Sequence, residues 1–393
     1  MKFERDLVLG VSGSIAAYKG VDLASRLTQA GVSVYTVMTE NATRLVSPLS
    51  FSAITGRPVA VDLFAEKPFS IGHISLAELA DAVLIAPATA NVIAKLACGI
   101  ADDLLTSTVL ASRAPLIIAP AMHTAMWEDK ATQANVETLR SRGVAFVGPA
   151  VGRLASGGFG AGRFAPIPEI LGVTLKVLGR NGDLSGRRIV VTAGGTREPI
   201  DPVRFIGNRS TGRMGYAIAE AARDRGGEVV LISAPTELPR PAGVESVEVS
   251  SANDMHEAVR SALPADTLIM AAAVADYAPI EVAKEKIKKG PDSISFTLKR
   301  TEDILKGVTD VRVKVGFAAE SGDLIENARR KLVEKTLDLI VANDITEAGS
   351  GFGSENNRVL IVDPKGVEEL PLLSKREVAD LILDRVVRLL EGG

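Results

Sequence analysis

The chain has 393 residues, 46% of them hydrophobic, and a formal net charge of -3. That length suits two cores better than one, and the near-balanced charge, with no long basic run, excludes bulk nucleic-acid binding. The single cysteine, Cys98, excludes an internal disulfide framework and a cysteine-type zinc site. No apolar run reaches transmembrane length and no signal-peptide pattern precedes the first strand, so a cytoplasmic, non-membrane protein is expected.

Leu7-Val-Leu9 reads as a short buried strand that meets Gly10 and Gly13. A helix follows over about residues 14–30, with Ala17, Val21, Ala24 and Leu27 as its apolar stripe and Gly31 as its terminator. Val34-Tyr-Thr-Val-Met38, Val83-Leu-Ile-Ala86 and Leu116-Ile-Ile-Ala119 are further strands, separated by helical segments. The polar, Gly-rich run Gly179-Arg-Asn-Gly-Asp-Leu-Ser-Gly186 reads as a linker. Ile189-Val-Val-Thr-Ala193 then restarts the strand-turn-helix theme. Val229-Val-Leu-Ile-Ser233, Leu268-Ile-Met270, Lys314-Val-Gly-Phe317 and Leu339-Ile-Val-Ala342 continue it. Residues 347–357 are Gly- and Ser-rich and read as a loop, and Ser374 with Glu377 marks a capping box that opens a final amphipathic helix. Strands alternating with helices predict an α/β protein of two Rossmann-like three-layer domains, each a mostly parallel sheet flanked by helices.

Gly10-Val-Ser-Gly-Ser-Ile-Ala-Ala-Tyr-Lys19 joins the first strand to the first helix. Free backbone N–H groups and the helix dipole favour an anion at such a turn, where Gly13 and Ser14 lie. The run lacks a full G-x-G-x-x-G and a Walker lysine, which argues against NAD and ATP. Gly72-His-Ile-Ser75 puts His73, one of three histidines, just ahead of a helix. Imidazole suits acid–base work near neutrality. Pro87-Ala-Thr-Ala-Asn-Val-Ile-Ala-Lys95 and Pro120-Ala-Met-His-Thr-Ala-Met-Trp127 follow strand ends, where open parallel sheets bind ligands. Thr89 and Asn91 either meet a ligand or cap a helix. Met122, Met126 and Trp127, taken alone, read as core.

In the second half, Ala193-Gly-Gly-Thr-Arg197 is compatible with a dinucleotide turn. No acidic residue ends Val229-Val-Leu-Ile-Ser233, where a ribose-binding Asp or Glu would stand. Asn208-Arg-Ser-Thr-Gly-Arg-Met-Gly215 concentrates donors for a phosphate or acyl adduct, or is an exposed polar loop. Lys286-Ile-Lys-Lys289 is a solvated charge run or a phosphate contact. Lys331 and Lys335 share a helix face. Phe317, at a strand end, stacks on a base or packs in the core.

In this order, and over nearly the whole chain, these motifs resemble the bacterial bifunctional phosphopantothenoylcysteine decarboxylase / phosphopantothenate–cysteine ligases of coenzyme A biosynthesis. The resemblance implies a flavodoxin-like, FMN-dependent decarboxylase domain over residues 1–182 and a Rossmann-like, CTP-dependent ligase domain over residues 183–393. It places FMN against Gly13, Ser14 and Ile15, with Thr39, Thr89, Asn91, Ser107 and Met122, and makes His73 the general acid/base. The flavin takes electrons from the thiol side of the substrate and returns them, with no net redox change. The substrate residues are His123, Met126 and Arg163, the last two in Pro120 to Trp127 and in the clamp Ala155-Ser-Gly-Gly-Phe-Gly-Ala-Gly-Arg163. Ser156 stands where that family carries a clamp cysteine, and His123 where it carries an asparagine. A histidine still donates a hydrogen bond, so these departures are expected to change the decarboxylation rate without abolishing it.

For the ligase half the resemblance implies that phosphopantothenate is activated by CTP to an acyl-cytidylate, which the cysteine amine then attacks. Asn208 and Arg204 would hold the acyl adduct, and Lys289 would convert it. Gly194, Gly195, Asp276, Lys286, Lys289, Phe317, Lys331 and Lys335 would hold CTP, with Mg2+ at Asp276. Trimers of the first domain joined through dimers of the second imply a closed homo-oligomer, a dodecamer. The partners are then small molecules, with no nucleic acid and no membrane. Two other readings stand beside this one. The first half can be a non-catalytic flavin-binding regulator, against which speak His73, the complete ligase half and the non-acidic end Leu389-Leu-Glu-Gly-Gly393. An NAD(P)-dependent oxidoreductase is carried by the glycine turns alone.

Overall fold

The computed structural model describes residues 5–64, 72–155, 157–289, 294–320, 323–344 and 353–392. The chain divides into two compact units, Met1–Leu178 and Gly179–Gly393. No helix among the described residues is long and apolar enough to cross a membrane.

The first unit is built on a parallel sheet of strands β1 (Asp6–Val11), β2 (Ser33–Met38), β3 (Ala82–Ala88), β4 (Leu116–Pro120) and β5 (Ala145–Phe146), in the order β2-β1-β3-β4-β5. Successive side chains of a strand point to opposite faces. Leu7, Leu9 and Val11 therefore pack on one side with Leu23, Phe51 and Ile170 from the helices Ala17–Gln29, Pro48–Thr55 and Ile167–Leu178. Val8, Val83 and Ile85 pack on the other with Ile93, Leu105 and Val136 from Ala90–Cys98, Leu104–Ala111 and Lys130–Ser141. The first helix begins at Ala17, where its apolar stripe starts, and not near residue 14, because residues 14–16 form the turn that leaves β1. An antiparallel ribbon, Ala150–Arg153 with Phe159–Arg163, lies outside the main sheet.

The second unit carries an eight-stranded sheet. From one edge the order is Glu245–Glu248, Glu228–Ser233, Arg188–Ala193, Ala265–Met270, Val311–Glu320, Leu339–Asp344, Leu360–Asp363, Gly366–Glu369. The first six run parallel and the last two antiparallel. Ile189 and Val191 meet the helices Arg213–Asp224 and Lys375–Leu390 on one face. Val190 and Leu268 meet Ala252–Ala262 and Leu324–Glu334 on the other. Ser374 and Glu377 form the expected capping box.

The Gly-rich stretch read as a linker is docked on this unit. Leu184 is fully buried, its N–H donates to the Arg225 carbonyl oxygen at 3.1 Å, and Arg225 pairs with Asp183 at 2.5 Å. A single leucine in a polar run is a weak sequence signal, and only the groove beside Arg225 turns it into an anchor. Of the loop expected over 347–357, residues up to 352 lie outside the described ones, and Asn356–Asn357 pairs with Leu373–Ser374.

Two candidate active sites

In the first unit the sheet order reverses between β1 and β3, and the loops leaving β1, β2, β3 and β4 gather at that switch point. Ser12 clasps the two central strands. Its Oγ donates to the Pro87 carbonyl oxygen at 2.8 Å and accepts the Thr89 N–H at 3.0 Å. Ser14 Oγ donates to the Ala121 carbonyl oxygen at 3.1 Å. Thr39 and Thr89 each cap a helix, accepting the N–H of Ala42 and Val92. Ser107 Oγ donates to the Ala101 carbonyl oxygen at 3.3 Å. Most of the hydroxyls expected to meet the flavin thus shape backbone first. A Cβ on Gly13 would lie 2.6 Å from Asn41 Cβ, so glycine lets the β1 loop press against the β2 loop. Ile15 stands 65% exposed, and Asn91 is exposed on Ala90–Cys98.

His73 is the first residue of the helix His73–Leu79, behind Gly72. That helix delivers the chain to the foot of β3, so His73 is at its opposite end. His123 caps the helix Thr124–Glu128, with Nδ1 accepting the Ala125 N–H at 3.2 Å. This is the work an asparagine does at that position, and it leaves the neutral ring's proton on Nε2. Met122 and Trp127 pack partly on the core, whereas Met126 is half exposed. The Met122 N–H donates to the Gly162 carbonyl oxygen at 3.0 Å and ties the ribbon carrying Arg163 to the His123 loop. Ser156 lies outside the described residues.

In the second unit a cavity of about 470 Å³ opens at the C-terminal ends of the parallel strands. Its wall brings together Asn208, Asp276, Phe317, Lys331 and Lys335, five residues far apart in sequence. Asn208 Nδ2 donates to the Ala273 carbonyl oxygen at 2.9 Å. Gly194 and Gly195 stand behind it: Gly194 has φ +82, and a Cβ on Gly195 would lie 2.7 Å from the Asn208 carbonyl oxygen. The Thr301 N–H donates to the Asp276 carbonyl oxygen at 2.9 Å. Lys335 pairs with Asp303 at 3.1 Å.

Arg204, Lys286 and Lys289 are not part of that wall. The Asp201 carboxylate accepts from Arg204 at 2.7 Å and from the Ile287 N–H at 3.2 Å, which ties the lysine run to the 201–204 turn. Burial opposes ionisation of Asp201, but the backbone N–H groups of Val203, Arg204 and Ile287, with the Arg204 charge, outweigh it and hold its carboxyl below the usual carboxylate range. Lys286 and Lys289 are exposed.

The wall also holds residues that no motif pointed to, among them Arg300, Asn343, Asn357 and Lys375. Lys375 is 8% exposed. Burial pushes its ammonium below the ordinary lysine range; Arg213 adds to this, and Glu355 opposes it. One signal was available, since a lysine at the first position of a helix runs against the macrodipole. The wall's cations, Arg209, Arg213, Arg300, Lys331, Lys335 and Lys375, outnumber its carboxylates, Asp276, Glu302 and Asp303. An anionic ligand is therefore favoured. A dinucleotide is not, because the strand Glu228–Ser233 ends in Ser233, hydrogen-bonded to Tyr216 at 3.2 Å, where a ribose-binding acid would stand.

Residues 1–179 match the Flavoprotein family, and residues 184–390 match the DNA/pantothenate metabolism flavoprotein C-terminal domain. The coenzyme A biosynthesis bifunctional protein CoaBC of Bacillus subtilis (strain 168) is 47% identical over 394 residues, covering 98% of this chain and 97% of that one. The chain belongs to the CoaBC family. The CoaBC of Mycobacterium tuberculosis (strain ATCC 25618 / H37Rv) is 45% identical over 412 residues, covering 100% of this chain and 98% of that protein. A crystal structure of the C-terminal domain of a CoaBC is 45% identical, covers 54% of this chain and all of that one, and has a TM-score of 0.47. Among the described residues, no group of three or more His, Cys, Asp or Glu could hold a metal ion.

Proposed function

We propose that the protein makes 4'-phosphopantetheine in two steps, one in each unit. The second unit joins cysteine to 4'-phosphopantothenate through an acyl-cytidylate formed from CTP. The first decarboxylates the resulting 4'-phosphopantothenoylcysteine with FMN. What carries the reading is the full-length likeness to bifunctional coenzyme A biosynthesis proteins, matched by a flavoprotein switch point in one unit and a cationic cavity in the other.

The loops at the β1/β3 switch point fit a flavin: they offer backbone N–H groups, short hydroxyl side chains and the apolar Ile15. When bound, flavin supplies reversible oxidation at the thiol-bearing carbon, which gives the electrons released by the departing carboxylate a place to go. Gly13, Ser14, Ile15, Thr39, Thr89, Asn91, Ser107 and Met122 hold the cofactor. His73 moves the proton, His123 donates from Nε2 to the substrate, and Arg163 on the ribbon pairs with its anion. Met126 covers the apolar part. A serine at position 156 does no thiol chemistry, because its hydroxyl proton is too weakly acidic.

In the ligase cavity Asn208 holds the acyl carbonyl, Phe317 stacks on the base, and Lys331 and Lys335 neutralise phosphate charge. Gly194 and Gly195 admit the backbone close to the nucleotide. Asp276 would offer a hard carboxylate oxygen to Mg2+, which would supply charge neutralisation at the phosphates. Lys286 and Lys289 act from the 284–289 segment, and Arg204 from the 201–204 turn to which Asp201 tethers it. Exposed apolar side chains on the ribbons Arg197–Pro199/Phe205–Gly207 and Tyr277–Pro279/Leu298–Arg300 form a dimer contact. Trimers through the first unit then close the assembly as a dodecamer.

The test is a coupled assay with phosphopantothenate, cysteine, Mg2+ and either CTP or ATP, following products by mass. Phosphopantetheine formed with CTP is expected. Phosphopantothenoylcysteine accumulating with full FMN loading would instead identify the first unit as a non-catalytic flavin-binding regulator. With Lys289→Gln, the acyl-cytidylate should accumulate, and its absence despite lost turnover would remove Lys289 from the mechanism.

A further inference from the structure

A carboxylate of the chain itself sits against the cationic end of the ligase cavity. Arg213 opens the 12-residue helix Arg213–Asp224 behind Gly212, and its guanidinium is paired with Glu355. Lys375 opens the helix Lys375–Leu390. Both cations line the cavity. Lys375 Nζ donates to the Ser354 carbonyl oxygen at 2.7 Å, and its backbone N–H donates to the Glu355 carbonyl oxygen at 3.1 Å. The Glu355 side chain is 85% exposed, whereas Lys375 is almost wholly covered.

Stability alone disfavours this arrangement. Each cation meets the positive end of its own helix dipole, and covering an ammonium costs solvation. Burial and Arg213 both work against the charged form of Lys375, and Glu355 is the group that opposes them. Two cations held at two helix N-termini, both facing one cavity, are matched by an anion with several oxygens. The Glu355 carboxylate that pairs with Arg213 is exposed and can give way to such an anion.

We propose that Arg213 and Lys375 form a polyphosphate subsite, and that Glu355 holds its place until a phosphate group displaces the carboxylate. The identity of the anion rests on the ligase reading above; the role of Lys375 and the exchange with Glu355 go beyond it. The exchange is cheap in one direction. An exposed ion pair is worth about 0–1 kcal/mol, and the released carboxylate is already in water. A polyphosphate brings more charge than Glu355 and reaches both cations. With the subsite empty, Glu355 limits repulsion between Arg213 and Lys375 without closing the cavity. Lys375 keeps its bond to Ser354, so the 353–357 segment stays attached while Glu355 turns outward.

The experiment is calorimetric titration of the full-length protein with inorganic pyrophosphate, comparing wild type with Glu355→Gln and Lys375→Met. Glu355→Gln should bind roughly two- to fivefold more tightly, since no ion pair has to be broken first. Lys375→Met should bind at least about tenfold more weakly. If Lys375→Met fails to fold by circular dichroism, Arg213→Gln should show the same loss. Unchanged or weaker binding by Glu355→Gln makes Glu355 a structural tether and overturns the proposal, as does unchanged binding by the cation variants. The titration needs no turnover. A wild type that binds pyrophosphate but shows no CTP-dependent ligation would sink the functional reading and leave this subsite standing.

Discussion

His123 shows how a single side chain can be read two ways. As a substrate contact it departs from the asparagine of the resembling family; as a helix cap it does the same work through Nδ1. Gly162 is the more exacting position. Its φ is +127, and an added Cβ would collide with the Met122 carbonyl oxygen, beside the very bond that docks the ribbon. Gly162→Ala should therefore displace Arg163 and slow decarboxylation roughly 100-fold, the scale of an ångström-level misplacement. Ligation in the second unit should be untouched. Comparing CO2 release with ligated product in one preparation checks this, and unchanged CO2 release would remove the ribbon from the mechanism.

The helices Arg213–Asp224 and Lys375–Leu390 pack together over one face of the second sheet and carry a buried charge cluster between them. Asp224, 1% exposed, accepts from Arg223 and from Arg376, each at 2.7 Å. Glu220 lies nearby without such a bond in this cluster, and burial pushes its carboxyl above the usual range; Arg223 and Arg376 pull it down and Asp224 pushes it up. The sign follows directly. A carboxyl whose folded pKa is raised binds its proton more tightly in the folded state, so it destabilises the fold as pH rises from about 4.5 through the raised value. Glu220→Gln should raise the denaturation midpoint at pH 7, and the gain should shrink as pH falls towards 4.5. A gain that is constant with pH would show that packing, not ionisation, is responsible. At this scale the sequence was a good guide where periodicity was strong. The apolar run Leu7-Val-Leu9 and the Ser374/Glu377 capping box gave elements that the structure contains. It was a poor guide to the two-residue and three-residue ribbons, whose pairing depends on what they dock against, and to Leu184, which needs the groove at Arg225 to become core.

At the scale of the whole molecule, exposed apolar side chains gather on and beside the two short ribbons of the second unit. Val203 and Phe205 are 61% and 50% exposed, Tyr277 and Ile280 are similarly open, and Arg197 stacks on the Phe205 ring at 4.7 Å. Val203→Glu combined with Phe205→Glu should lower the mass of the assembly in sedimentation velocity, because two carboxylates would be buried without partners in a dimer contact. An unchanged mass would place the contact elsewhere. The sequence by itself determined the fold class and the family, because those are carried by local patterns: hydrophobic period, glycine turns, and motifs in a fixed order. Only the tertiary structure decided which of the motif residues meet. Asn208, Asp276, Phe317, Lys331 and Lys335 share one wall because parallel strands bring their C-terminal ends to one edge. Lys286 and Lys289 are held away from it by Asp201. Lys375 joins it for a reason no short-range pattern records: its helix starts where the chain returns to that edge, and the charge it carries there is set by the neighbours it finds.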